Sequence, residues 1–300
     1  MFSKVDFVGG WKLWFAISAV LLLAGIAAIA LGTLNFGIDF EGGTKFTAAS
    51  PDRQRSVSEV REALPDFVAR DAVIQRIGRI GEGGGYEVRA PVLGERETAQ
   101  IQESLSEALG AEVSVQSVSP TFGGQIRNQA LQAVAAALLI IVAFISIRFE
   151  FAFALAAMVA LLHDILMTVG FYAIVGREVN LVTVVAVLTV LGYSLYDTII
   201  IFDRVRENTP AVGYNRRRFD ETINTSIRQV VRRSIYTSVC SLIPITALLI
   251  FGESTLSDFA FALLVGIMAG TYSSIFIASP VLSLYKAWRA GRLRRVPRSA

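Results

Sequence analysis

The chain has 300 residues, of which 53% are hydrophobic and 18% are charged, with a formal net charge of +3 at pH 7. Soluble domains average about a quarter charged residues, so this composition excludes an ordinary soluble domain and predicts a protein that crosses a membrane several times. One cysteine and one histidine exclude an intrachain disulfide and a metal cluster of the Cys/His type. Basic residues lie at the ends of apolar stretches rather than in an isolated patch, which argues against nucleic acid as a partner.

Six apolar stretches have the roughly 20 residues that a helix needs to cross a bilayer. The first is longer than the roughly 7–15 apolar residues of a signal peptide, so we interpret it as an uncleaved anchor. The predicted spans cover about 12–33, 129–147, 151–175, 181–202, 235–252 and 258–285.

The spans divide the chain into a first region at 1–33, a long segment at 34–125, five spans within 126–285 and a basic tail at 286–300. Arginines also crowd the loop 203–233, whereas the loops on the opposite side carry few cations. By the positive-inside rule, both termini and the 203–233 loop are cytoplasmic and the 34–125 segment is exterior.

The exterior segment predicts a small α+β domain with the order β-α-β-β-α-β, the ferredoxin-like arrangement. A capping-box pattern at Ser56 and Glu59 opens its first helix, and a second helix is expected at about 96–109. Strands are predicted at 44–48, 72–77, 86–90 and 113–118, with a turn at 81–85. The segment has no phosphate-binding glycine loop and no nucleophile–base pair, so we interpret it as a binding or coupling module.

The fourth span contains Asp197, and a carboxylate at the centre of a span costs roughly 2.5–3.5 kcal/mol on insertion scales, which marks a functional residue. In the fifth span, Arg233 and Thr237 are four residues apart and share a helical face. An acid, a guanidinium and a hydroxyl at one depth have the chemistry of a proton switch. The alternatives are a static interhelical hydrogen bond for Asp197 and an ordinary topology signal for Arg233.

His163 and Asp164 form a second polar pair near the middle of the third span. Adjacent residues point about 100° apart on a helix, so the two are expected to face different neighbours. They either extend a proton path or hold helices together.

The basic stretch 220–233 predicts an amphipathic helix on the inner leaflet. Its apolar face combines Ile223, Ile227, Val230 and Val231.

Two longer motifs resemble the SecD/SecF family of protein-export membrane proteins. Residues 36–44, with Asp39, Gly42 and Gly43, resemble its DFxGG signature. Residues 191–208, which include Asp203 and Arg204, resemble the fourth span of one of its two components. The residue before the acid is Tyr196, where the family commonly has asparagine.

The resemblance implies a six-helix half of a complex with SecD, similar to exporters of the resistance-nodulation-division type and placed in the cytoplasmic (inner) membrane. Such a complex assists the Sec translocon channel, SecYEG, in late translocation and release of preprotein. It uses the proton gradient, or sodium in some relatives, and needs no cofactor beyond the coupling ion. The transport-essential acid of the family falls on Asp197, and its span-five pair falls on Arg233 and Thr237.

Two other functions are compatible with parts of the sequence. A proton-coupled exporter of small molecules or lipids would use the same helices, although such exporters usually carry larger exterior domains. An intramembrane aspartyl protease shares the Tyr196-Asp197 pair, but its second motif is absent and Asp164 lies roughly 10 Å away in depth. We therefore expect a transport subunit and not an enzyme.

Overall fold

The computed structural model describes residues 5–48, 55–77, 84–209, 215–252 and 254–295. The elements up to the end of the sheet domain are α1 (Trp11–Ala30), β1 (Asn35–Phe36), α2 (Ile38–Glu41), β2 (Gly43–Ala48), α3 (Val57–Glu62), α4 (Asp66–Ala69), β3 (Val73–Ile77), β4 (Gly85–Ala90), α5 (Glu95–Leu109) and β5 (Val113–Val118). The remainder comprises α6 (Pro120–Arg148), α7 (Phe151–Val175), β6 (Glu178–Val179), α8 (Leu181–Asn208), α9 (Arg216–Phe251), α10 (Ser254–Ser273), a π-helical turn (Ser274–Ala278) and α11 (Ser279–Arg295).

Six helical stretches are long and apolar enough to cross a membrane, in agreement with the six predicted spans. They are α1, α6, α7, α8, α9 and the stretch Thr255–Ala290, which combines α10, the π-helical turn and most of α11. Four helices, α6, α8, α9 and α11, extend well beyond their predicted apolar stretches, because polar residues at their ends continue the same helix. Of the predicted basic tail, residues 286–295 continue α11 and residues 296–300 lie outside the described part of the chain.

The expectation that 220–233 lies on the inner leaflet is wrong for its apolar face. Ile223, Ile227 and Val231 are buried in a core that also contains Phe202 of α8 and Leu282 of α11. The stretch belongs to the single 36-residue helix α9. Its apolar stripe is therefore covered by protein, and only the basic face is free to meet headgroups.

The sheet domain has the predicted order of elements, except that two short helices, α3 and α4, replace the first predicted helix. Its strands are all antiparallel to their neighbours in the order β3-β4-β2-β5. Phe46, Tyr86, Ile101 and Leu105 form the centre of its core. The exterior location of this domain and its ferredoxin-like assignment stay predictions. Most of the predicted turn at 81–85 lies outside the described residues, which exclude 78–83.

The predicted capping box opens α3. The Ser56 hydroxyl accepts from the Glu59 backbone N–H at 3.2 Å, and the Glu59 carboxylate accepts from the Ser56 N–H at 2.7 Å. These hydrogen bonds from Ser56 stabilise the ionised form and lower the pKa of Glu59.

Two glycines of the DFxGG signature fix the entry of the chain into the sheet. Gly42 and Gly43 have φ values of +78° and +131°, a region that favours glycine. A Cβ added at Gly42 would lie 2.7 Å from the Pro120 backbone, and one at Gly43 would lie 2.7 Å from the Ala90 carbonyl oxygen. The signature therefore lets β2 begin directly against the start of α6.

Helices α1 and α7 cross at a pair of glycines. A Cβ added at Gly25 would lie 2.7 Å from Gly170 Cα, so the two backbones are in contact. Small residues at such crossings are typical of membrane helices, where close packing supplies much of the association energy.

Replacing Gly170 with valine is expected to force α1 away from α7 and to lower stability by about 1–3 kcal/mol, the usual cost of overpacking. The measurement is the thermal unfolding midpoint of the purified protein in detergent. Gly192→Val is the matched control, because no described atom lies within 4 Å of a Cβ placed there. Equal midpoints for the two variants would contradict the crossing.

Candidate intramembrane polar site

Asp197 lies on α8 and is 2% exposed. Among the described residues, none forms a hydrogen bond with its Oδ2 atom, and the same holds for the Ser234 hydroxyl on α9. The Ser234 hydroxyl and the Arg233 guanidinium nonetheless lie near enough to this carboxyl group to interact with it electrostatically. The site therefore contains a buried acid and a buried hydroxyl that are near each other but not bonded.

Arg233 is engaged elsewhere. Its Nη2 atom donates to the Tyr196 hydroxyl at 2.8 Å, and no ion pair joins it to Asp197 within the described part of the chain. Tyr196 is 51% exposed and lies next to the acid in sequence. The phenol thus holds the guanidinium beside the carboxylate without neutralising it.

Thr237 does not complete the expected trio. Its hydroxyl donates within its own helix, to the carbonyl oxygens of Arg233 at 3.1 Å and Ser234 at 2.9 Å. Ser234 takes the position near Asp197 that the sequence assigned to Thr237. The two residues are three apart on one helical face, so the spacing could have suggested either.

Asp164 is fully buried and fully bonded, in contrast to Asp197. Its Oδ2 atom accepts from the Ser194 hydroxyl at 2.6 Å and from the Ser273 hydroxyl at 2.9 Å. Its Oδ1 atom lies 3.1 Å from His163 Nδ1. As expected, the two residues face different neighbours, because His163 reaches Ser18 of α1 whereas Asp164 reaches Ser194 of α8 and Ser273 of α10; their side chains also contact each other.

This network continues into α1 and into the π-helical turn. His163 Nε2 lies 3.1 Å from the Ser18 hydroxyl, which donates to the Tyr272 hydroxyl at 3.3 Å. On the other side, the Thr198 and Ser274 hydroxyls are 2.8 Å apart. The network therefore runs along α8 on both sides of Asp197, from Ser194 to Thr198, and π-helical turns of this kind are frequent at functional sites.

Comparisons with known proteins identify the family. Residues 99–288 match the family described as Protein export membrane protein SecD/SecF, C-terminal. A protein translocase subunit SecF from Streptomyces coelicolor is 37% identical over 287 residues, which cover 93% of this chain and 76% of the relative. Another SecF from Desulfurispirillum indicum is 39% identical over 284 residues, covering 91% and 89%. This chain belongs to the SecD/SecF family.

A solved structure gives the same result. The crystal structure of SecDF from Thermus thermophilus, described as a translocon-associated membrane protein, matches with a TM-score of 0.84 and 32% identity. The match covers 94% of this chain and 39% of the SecDF chain. The family and the six apolar helices together make this a multi-pass membrane protein.

The remaining family-signature residues make contacts at the two ends of α8. At its start, the Asp39 carboxylate accepts from the Leu181 backbone N–H at 3.2 Å. At its end, the half-buried Asp203 precedes Arg204, which contacts Glu207 at 2.7 Å and also donates to Gln229 of α9. Among the described residues, no group of three or more His, Cys, Asp or Glu side chains could hold a metal ion.

Replacing Asp164 with leucine is expected to lower the free energy of unfolding by about 2 kcal/mol or more, because His163, Ser194 and Ser273 lose their shared acceptor in a buried site. Asp164→Asn keeps one acceptor oxygen and should fall between leucine and the wild type. Chemical unfolding in detergent measures both, with the exposed Glu207→Leu as the control, expected to change stability by about 0.5 kcal/mol or less. A loss for Asp164→Leu no greater than that of the control would contradict a stabilising network.

Proposed function

We propose that this chain is an auxiliary subunit of the Sec protein-export machinery, acting with SecD and driven by the proton gradient across the cytoplasmic membrane. Its task is late translocation and release of preprotein at the SecYEG channel. The observation that carries the proposal is the buried Asp197 carboxyl group, whose Oδ2 atom has no hydrogen-bond partner among the described residues, in a member of the SecD/SecF family. Family membership supports the export role, and the acid supports the coupling.

The physical argument starts from desolvation. An ionised carboxylate without hydrogen bonds is costly in an apolar bundle, so the proton occupancy of Asp197 is linked to its surroundings. The Ser234 hydroxyl serves both states, since it can donate to a carboxylate or accept from a carboxylic acid. Arg233 is the movable partner, held by Tyr196 in one state and drawn to the carboxylate in the other. Each change alters how α8 packs on α9, and the two states of this pair constitute the switch.

The surface around the site fits a partner subunit. Tyr196 and Arg233 are exposed although they lie beside an intramembrane acid, and lipid tails offer no hydrogen bonds to a guanidinium. We assign this face to SecD. Lipid tails then cover the outward apolar side chains of α1 and α6, such as Val20, Leu139 and Ile147.

The orientation follows the distribution of basic residues. Both termini and the arginine-rich start of α9 face the cytoplasm, and the sheet domain faces the exterior, where released preprotein emerges. The protease alternative is not supported, because the Asp164 carboxylate contacts His163, Ser194 and Ser273 and does not pair with Asp197.

Replacing Asp197 with asparagine is expected to abolish the gradient-driven part of preprotein export, because an amide cannot gain and lose the proton. The assay uses inverted membrane vesicles that contain the SecD partner and follows protection of a preprotein with and without an imposed gradient. Glu221→Gln, an exposed carboxyl-to-amide change, is the control and should export as the wild type does. Unchanged export by Asp197→Asn would remove this residue from the mechanism.

The coupling ion is tested separately in the same vesicles. A protonophore should abolish the stimulated export, whereas exchange of sodium for potassium at a constant proton gradient should leave it unchanged. Loss of stimulation on sodium removal, with the proton gradient intact, would replace the proton by sodium in the proposal.

A further inference from the structure

The sheet domain and the membrane helices are joined at a second group of charges, outside the membrane-spanning helices. Strand β1 pairs in parallel with β6, so that Asn35 lies opposite Glu178 and Phe36 lies opposite Val179. Strand β6 leads directly into α8. We call this contact, together with the side chains of Lys45, Glu87, Arg89 and Glu178, the interdomain joint.

Arg89 of β4 connects three parts of the joint. Its Nε atom lies 3.4 Å from the Glu178 carboxylate and 3.9 Å from the Glu87 carboxylate, and its Nη1 atom donates to the Phe36 carbonyl oxygen at 2.9 Å. Lys45 lies 3.7 Å from Glu87 on the same sheet. The side chains of Arg89, Glu87 and Glu178 are 11%, 9% and 6% exposed, so these charges are largely removed from water.

The charged side chains of the joint are buried, but not all of their polar atoms form hydrogen bonds. The Arg89 Nε–H has no hydrogen-bond partner among the described residues, although two carboxylates lie within 4 Å of it. The Glu178 carboxylate also packs directly against the Gly37 backbone, since a Cβ placed on Gly37 would lie 2.2 Å from it. Buried charges that are close but imperfectly bonded are sensitive to the loss or gain of one proton.

We propose that Glu178 and Arg89 form a proton-sensitive latch that holds the sheet domain against the start of α8. The mechanical link is short, because the Glu178 strand precedes α8 and the Asp39 carboxylate accepts from the Leu181 N–H at the start of that helix. Opening of the latch frees the sheet domain from the helix that carries Asp197. The latch goes beyond the proposed function. It rests on that function only for the orientation of the chain, which decides on which side of the membrane the pH acts.

Burial raises the pKa of Glu178 from 4.5 to about 7, with the Glu87 carboxyl group adding to this effect and Arg89 and Lys45 opposing it. Because the pKa of Glu178 is higher in the docked state, protonation of Glu178 favours docking. This contribution is lost as pH rises from about 4.5 to about 7. Docking is therefore strongest in acid. The gap between the two values corresponds to a change of a few hundred-fold in the docking equilibrium.

The elements packed against the latch carry further charged groups. Arg177, which precedes Glu178, pairs with Asp258 of α10 at 2.5 Å, and the Lys45 and Glu87 charges reach Asp258 as well. The Arg177–Asp258 pair ties β6 to the bundle. Protonation of Glu178 therefore changes the sheet side of the joint while the bundle side stays fixed.

The test measures the distance between the two sides as a function of pH. Spin labels on Ala99→Cys of α5 and Val175→Cys of α7, both exposed positions, report the separation in full-length protein in lipid nanodiscs, with the exposed Cys240 replaced by serine. The wild-type sequence should give one narrow distance distribution at pH 5 and gain a second, longer population by pH 8. Glu178→Gln, which resembles the protonated acid, should stay narrow throughout.

Two further variants keep the result interpretable. Arg89→Gln should open at lower pH than the wild type, because the ionised Glu178 then lacks its guanidinium. The exposed Glu112→Gln in the same domain should titrate as the wild type does. A distribution that does not change between pH 5 and pH 8, or a Glu178→Gln variant that titrates like the wild type, overturns the latch. Neither readout depends on export, so failure of the latch and failure of the proposed function are distinguishable.

Discussion

The cost of keeping a carboxyl group inside an apolar helix bundle shapes this protein. The bundle holds two such groups and treats them differently. Asp164 receives two serine hydroxyls and a histidine, so it is satisfied and ties α7 to α8 and α10. Asp197 is also buried, but its Oδ2 atom has no hydrogen-bond partner among the described residues, and neither does the nearby Ser234 hydroxyl. An acid that is left unsatisfied can respond to a proton, whereas a satisfied acid stabilises the structure.

Helix α8 links this chemistry to the rest of the molecule. Its middle carries Asp197 between Ser194 and Thr198, its start is bonded to Asp39, and its end is bonded to α9 through Arg204. The signature residues of the family therefore lie where α8 meets its surroundings.

Much of the fold follows from local sequence patterns. Long apolar runs predicted the six spans, and alternation and capping chemistry predicted the strands and the start of α3, because each depends on residues close in sequence. The extent of α9 and the partner of its apolar stripe were missed. An apolar face next to arginines fits a membrane surface and a protein core equally well, and only the burial of Ile223 and Ile227 in a core with Phe202 of α8 and Leu282 of α11 decides between them.

The candidate site was predicted less completely for a related reason. Asp197, Asp164 and Arg233 stand out because charges are rare in membrane spans. Ser18, Ser194, Ser234 and Ser273 do not, since serine is common in such helices, and distant segments bring them together only in the folded bundle. The bond between Arg233 and Tyr196 could not be read from spacing either, because it depends on the rotation of α9 against α8.

The proton on Asp197 is the central claim, and infrared difference spectroscopy of the reconstituted protein measures it most directly. Titration from pH 5 to pH 9 should reveal a protonated-carboxyl C=O band that appears and disappears, and this band should be missing from the Asp197→Asn difference spectrum while the other carboxyl bands remain. A wild-type spectrum without such a band, or one identical to that of Asp197→Asn, would contradict the account.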